Sequence, residues 1–220
     1  MPELRFFLEG LEPVMHALTP TLRMKLRAVN GTPETIHAIW LRCQIQIEPA
    51  RRRYSPAEAD ALLPLFGAPE RWEETLRPFL WQQTCAMLPG FTGTGVSDVL
   101  LACSQDFTLA ATQYCEALGE GEIPLVAQFS GMAMLQGTGG LEVSPIPWEL
   151  EARYAMPARL WREAVQAMYG NSRWLRLERN ACQRLLTFHA ASGAGTLEAT
   201  LDALLEGTAA RATKAKREVA

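Results

Sequence analysis

Two runs of strict alternation near the start of the chain constrain its fold more than any other feature. Leu22, Met24, Leu26 and Ala28 alternate with Thr21, Arg23, Lys25 and Arg27. After a turn at Asn30-Gly31-Thr32-Pro33, Ile39, Leu41, Cys43, Ile45 and Ile47 alternate with Ala38, Trp40, Arg42, Gln44, Gln46 and Glu48. Successive side chains of a strand point to opposite faces, so a period of two means strands with one buried and one wet face. The short turn between the runs predicts that the two strands form an antiparallel pair.

The rest of the first two thirds carries further strand signals. Leu4, Phe6 and Leu8 make a short first strand, and Gly10 to Pro20 reads as irregular. Ser55-Pro56-Ala57-Glu58 is a helix start: a serine cap, proline at the first helical position and glutamate at the third form a capping box. That helix is expected to end at Pro64 and Gly67. Thr75 to Leu88 reads as strand, Pro89 to Gly95 as a break, and Val96 to Cys103 as strand again. Asp106 to Leu118 fits strand alternation at its start and helix composition at its end, and both assignments stay open. Ile123 to Leu135 is apolar on both faces near its middle, which predicts a central strand covered on both sides. After a turn at Gly137-Thr138-Gly139-Gly140, Leu141 to Ile146 returns as strand and Pro145-Ile146-Pro147-Trp148 closes the sheet region.

From Met156 the period changes to 3.6. Leu160, Trp161, Ala164, Val165 and Met168 share a helical face, with Pro157 in the first turn. Trp174, Leu177, Ala181, Leu185 and Phe188 form a second stripe after Ser172, and Leu197, Leu201, Leu204 and Leu205 a third after Thr196. Gly207 to Ala220 is small and basic, the composition of a disordered tail. Strands first and helices last give an α+β class. The expectation is an antiparallel β-sandwich over residues 1–149, a helical segment over 150–206 packed on it, and a disordered basic tail over 207–220.

Composition removes several function classes. Of 220 residues, 48% are hydrophobic and 20% charged, and the net charge of −3 gives no global attraction to nucleic acid. The N-terminus lacks a signal-peptide pattern, and no apolar run approaches the roughly 20 residues of a membrane span. A soluble, cytoplasmic protein with reduced thiols is expected. The five cysteines and three histidines are scattered singly, without the paired spacing of a structural metal site. No metal and no cofactor are expected on that ground.

Candidate chemistry is sparse. Phe129-Ser130-Gly131 lacks the Gly-x-Ser-x-Gly of a nucleophile elbow, and the glycine-rich turns lack the lysine of a phosphate loop. Cys43 points with the isoleucines as core, and Cys182 and His189 share a helix face without a third partner. Arg51-Arg52-Arg53-Tyr54 is the densest positive cluster. It reads either as an anion or acidic-partner site beside a helix N-terminus or, with more weight, as a solvated loop pairing with Glu48 and Glu58. Of the six tryptophans, Trp72, Trp81, Trp148, Trp161 and Trp174 read either as interface anchors or, with more weight, as plugs in a core. Trp40 differs, because it falls on the polar face with Arg42 and Gln44. Candidate interface residues are therefore Trp40, Arg51, Arg52, Arg53, Trp72 and Arg77; no residue is assigned a catalytic role.

Several segments resemble a bacterial family of unknown function. They are Arg51-Arg52-Arg53-Tyr54-Ser55-Pro56, Leu65-Phe66-Gly67, Glu70-Arg71-Trp72, Thr75 to Trp81, Gly121 to Leu125, Phe129-Ser130-Gly131, Pro145 to Trp148 and Asn171 to Leu177. The resemblance covers nearly the whole chain in order. Members of that family have no assigned activity and are often encoded near NiFe-hydrogenase genes. The resemblance thus implies an accessory or assembly partner of a hydrogenase, docking on a hydrogenase subunit or maturation factor. The rival expectations are an enzyme or metal-handling protein whose site assembles from distant residues, and a self-assembling structural subunit.

Overall fold

The computed structural model describes residues 2–103, 109–137, 140–170, 172 and 177–218. Among these, the elements run β1 (Leu4–Pro13), β2 (Thr21–Asn30), β3 (Ile36–Ile47), α1 (Pro56–Phe66), α2 (Trp72–Thr75), β4 (Phe79–Phe91), β5 (Thr94–Ala102), α3 (Leu109–Ala117), β6 (Glu122–Gly137), β7 (Gly140–Pro145), β8 (Glu151–Pro157), α4 (Ala158–Tyr169), α5 (Arg179–Ser192) and α6 (Leu197–Glu218). The class is α+β. One sheet has the order β1-β2-β5, the other β4-β3-β6-β7 with β8 also on β6; all pairs are antiparallel and neither sheet closes into a barrel.

The alternation in β2 and β3 decides what is buried but not who pairs with whom. Leu22, Met24, Leu26 and Ala28 are buried, as are Ile39, Leu41, Cys43, Ile45 and Ile47. The expected β2–β3 pairing is absent: β2 lies between β1 and β5, and β3 between β4 and β6. The link from Asn30 to Thr35 crosses between the sheets instead. Buried Asn30 holds it: its Oδ1 accepts from the Glu3 and Thr32 amides, both at 3.2 Å, and its Nδ2 donates to the Glu34 carbonyl at 2.9 Å. A period of two specifies a covered face, and any antiparallel neighbour satisfies it.

The β4–β5 turn makes the same crossing, and it is shorter than expected. β4 continues through Pro89 and Gly90, which were expected in a loop, while Thr75 ends α2 rather than starting a strand. Pro89 is tolerated because β4 is an edge strand, where a missing N–H breaks no ladder on the open side. β1 likewise reaches Pro13, with a register shift between Leu8 and Gly10. In α1 the capping box forms as read, but Pro64 sits inside the helix, which ends at Gly67.

The buried sides of both sheets and of α1, α3 and α4 feed one hydrophobic cluster. Phe6 of β1 and Phe129 of β6 meet across it with ring centroids 4.6 Å apart. Trp81 of β4 and Trp161 of α4 form a T-shaped pair at 6.3 Å. β6 is central, between β3 and the strands β7 and β8, but only Val126 is buried on its outward side; Gln128 and Met132 are exposed there. It is thus covered on one side, not two. The Asp106 to Leu118 segment resolves as helix from Leu109.

β8 was not anticipated. The sequence pattern closes the sheets at Trp148 and puts Met156 in a helix, yet Met156 is buried near the end of a strand and α4 starts at Ala158. Ala152, Tyr154 and Met156 alternate with Glu151, Arg153 and Ala155, a weak pattern poor in β-branched residues. Residues 151–169 belong to a first compact unit, Met1–Ser172. The second unit, Arg173–Ala220, holds α5 and α6. Gly193 ends α5 in the left-handed conformation, and the Thr196 hydroxyl caps α6 by accepting from the Ala199 amide at 3.2 Å. α6 then continues to Glu218, across the stretch expected to be disordered. Trp174 lies outside the described residues.

Candidate interaction surfaces

The outward face of the five-stranded sheet changes character along its length. The cross-strand register sets Met87, Trp40, Met132 and Pro145 in one row. Pro89, Ala38, Met134 and Val143 form the adjacent row. Trp40 is 41%, Met87 60%, Met132 47% and Val143 57% exposed. With strands roughly 4.8 Å apart, a row spans about 14 Å, so this is a contiguous apolar patch rather than scattered side chains. Its backbone is tightly constrained. Gly131 has φ +135°, and a Cβ there would lie 2.0 Å from the Trp40 carbonyl oxygen, so only glycine lets β6 approach β3 beneath the tryptophan.

Beyond this patch the face turns polar. Arg42 lies between Cys85 and Ser130. With the Gln83 amide oriented oxygen-inward, Arg42 Nε and Nη2 donate to its oxygen at 2.7 and 3.0 Å. Next comes a glutamine belt, in which Gln46 donates to Gln128 at 3.1 Å. At the far end Arg153 pairs with Glu151 at 2.5 Å and with Glu48 at 3.4 Å.

The arginine cluster lies past that end of β3, and Arg52 is the member committed to the fold. Arg52 Nη1 donates to the Glu122 carbonyl at 2.7 Å; Nη2 donates to Glu58 Oε1 at 2.5 Å and to the Glu120 carbonyl at 2.7 Å. Glu58 also accepts from the amides of Gly119 at 3.0 Å and Ser55 at 2.9 Å. Burial alone would raise the Glu58 carboxyl, but the Ser55 and Gly119 amides and the Arg52 guanidinium together hold it below its ordinary value of 4.5. One buried ion pair thus ties the N-terminus of α1 to the α3–β6 turn. Arg162 of α4 grips the same turn through the carbonyls of Leu118 and Gly119 and the Glu120 carboxylate. Beside it, Tyr54 donates to the Pro49 carbonyl at 2.8 Å and accepts from Tyr114, also at 2.8 Å. A cleft of about 490 Å³ opens here, with Arg51, Arg52 and Arg53 set against Glu58, Glu120 and Glu122. Three cations facing three carboxylates leave it without a strong field for an anion.

The structure does not bring the sequence-read interface residues into one site. Trp40 stands on the open sheet face. Arg51, Arg52 and Arg53 line the cleft, with Arg51 3.7 Å from Glu48 and Arg52 buried against Glu58. Trp72 is half-buried, packs edge-on against Tyr54 at 5.1 Å and donates to the Gly67 carbonyl. Arg77 is exposed and donates to the Glu74 carbonyl at 3.0 Å. Trp148, expected as a core plug, is 86% exposed in the turn after β7. The patch partners Met87, Met132, Met134 and Val143 were missed, because register rather than spacing places them beside Trp40.

Among the described residues no group of three or more His, Cys, Asp or Glu side chains converges as metal ligands would. Cys43, Cys103 and Cys115 are buried; burial pushes the first two thiols up to about 12 and raises the third as well. On α5, His189 Nδ1 lies 2.7 Å from the hydroxyl of buried Thr200 on α6, an interhelical contact.

A protein of two antiparallel sheets with an open apolar face and, among its described residues, no cluster of metal-ligating side chains is the class defined so far. The chain belongs to DUF6084, a family of unknown function, whose model matches residues 1–213. No curated protein matches it in sequence. It is distantly similar to the solution structure of a putative late embryogenesis abundant protein, at 10% identity and TM-score 0.34 over 71% of this chain and 72% of that one. It is similar also to the CARDB domain of a Pyrococcus furiosus protein in complex with di-metal ions, at 9% identity and TM-score 0.28 over 71% and 92%. A third likeness is to β-glucosidase 3B of Thermotoga neapolitana, at 9% identity and TM-score 0.25 over 70% of this chain and 17% of that one.

Proposed function

We propose that this protein is a non-catalytic, cytoplasmic docking protein, its two sheets stacked as a β-sandwich that presents a rigid face to another protein. The observation that carries this reading is the row Met87–Trp40–Met132 on the outward face. Half-exposed tryptophan and methionine side chains on ordered strands are expensive to leave in water and adapt well to a partner's surface. As the partner we propose a NiFe-hydrogenase subunit or maturation factor, which rests on the family resemblance described for the sequence.

The test is affinity capture of the full chain from its native host, wild type beside Trp40→Ser, followed by mass spectrometry. A hydrogenase component retained by the wild type and lost by the variant is the expected result. Retention of the same partner by both proteins moves docking off this face, and recovery of the protein alone removes the docking function.

A further inference from the structure

The charge pattern around the patch says what kind of segment it takes. Arg42 is exposed at the patch boundary, two residues from Trp40 and on the same face. Its lateral neighbours Cys85 and Ser130 are uncharged, and among the described residues it makes no ion pair within 4 Å. Two carboxylates share its face: Glu151, one row and two strands away by register and held by Arg153, and Glu48, roughly 20 Å along β3 and held by Arg51 and Arg153. Gln83 fixes one edge of the guanidinium through Nε and Nη2, which leaves the Nη1 edge open.

Covering Trp40 would take Arg42 out of water. An unpaired buried cation is strongly unfavourable, so the occupant must bring a negative group. A second copy docked with its apolar rows on these does not: those rows contain no carboxylate, and Glu48 and Glu151 farther along the face are already held by arginines. We therefore infer that the face takes an apolar segment of a different protein carrying an aspartate or glutamate that pairs with Arg42. This rests on the docking reading and specifies its partner's chemistry.

The probe is a displayed library of random 16-residue peptides, panned on the full-length protein. Wild type is compared with Arg42→Glu, Trp40→Ser, Met132→Ser and the cleft variant Arg53→Ser, each checked for an unchanged melting transition. Peptides enriched on the wild type should combine large apolar residues with Asp or Glu. Their affinity should fall at least tenfold with Met132→Ser and with Arg42→Glu, and stay within twofold with Arg53→Ser. Panning on Arg42→Glu should enrich Lys or Arg instead. If Trp40→Ser does not fold, the Met132 and Arg42 variants carry the test. No enrichment, enrichment without an acidic bias, indifference to Arg42→Glu, or a concentration-dependent dimer lost on Trp40→Ser would each overturn the inference. If host capture depends on Trp40 while the peptides show no acidic bias, the charge inference alone fails and docking survives.

Discussion

The two ends of the outward sheet face solve opposite problems. At the arginine end the charges of Arg52 and Arg153 are matched close to home. Arg52 reaches two carbonyls and Glu58, Glu58 also takes two amides, and Arg153 has Glu48 and Glu151. At the tryptophan end the apolar rows and Arg42 are left unmatched. The difference teaches that a dense basic motif is not by itself a binding site. Polar groups that satisfy one another hold a fold together, and those left without a counterpart are the ones with something to gain from a partner.

The largest expected effect that would break this contrast is at Glu58. Replacing it with alanine leaves Arg52 buried without its counter-charge and removes the α1 capping box, which should cost about 3–5 kcal/mol in urea unfolding. A loss below about 1 kcal/mol would place the arginine end among ordinary surface pairs. The same carboxyl sets a pH signature. Its folded pKa lies below the ordinary 4.5, so its stabilisation is present above that value and is lost as pH falls through the folded pKa. The stability gap between wild type and Glu58→Gln should therefore be full at pH 7 and shrink below pH 4.5.

Tyr114→Phe comes next. Its hydroxyl donates to Tyr54 in a buried site, and its loss should cost about 1 kcal/mol by thermal or chemical melting. Smallest in stability are Arg42→Ala and Met132→Ser, each within about 0.5 kcal/mol, because neither side chain supports the core. Larger losses there would mean that the tryptophan end is also structural. Thiol labelling sharpens the contrast further. Cys85, exposed beside Arg42, should react with a thiol reagent in the native protein, whereas Cys43, Cys103 and Cys115 should react only after denaturation.

Much of the local structure was legible. The period of two in β2 and β3, the Ser55–Glu58 box and the helix start after Thr196 each follow from backbone chemistry within a few residues. Other features were hidden because their cause lies elsewhere in the chain. β8 has an undistinguished sequence and is a strand because β6 offers it an edge. Pro89 looks like a breaker and is accommodated because β4 lies at the margin of its sheet. Of the interface residues, Trp40 was readable as an outward aromatic, while its methionine neighbours depend on register with β4 and β6.

The sequence by itself determined which faces of β2 and β3 leave water, where α1 begins, and that a tryptophan and an arginine share the wet side of β3. Only the tertiary structure decided that β2 and β3 join different sheets, that Arg52 folds inward while Arg42 stays open, and that methionines flank Trp40. Alternation and capping are local properties of neighbouring residues. Strand pairing and charge matching join residues tens of positions apart, and a period of two is compatible with many such partners.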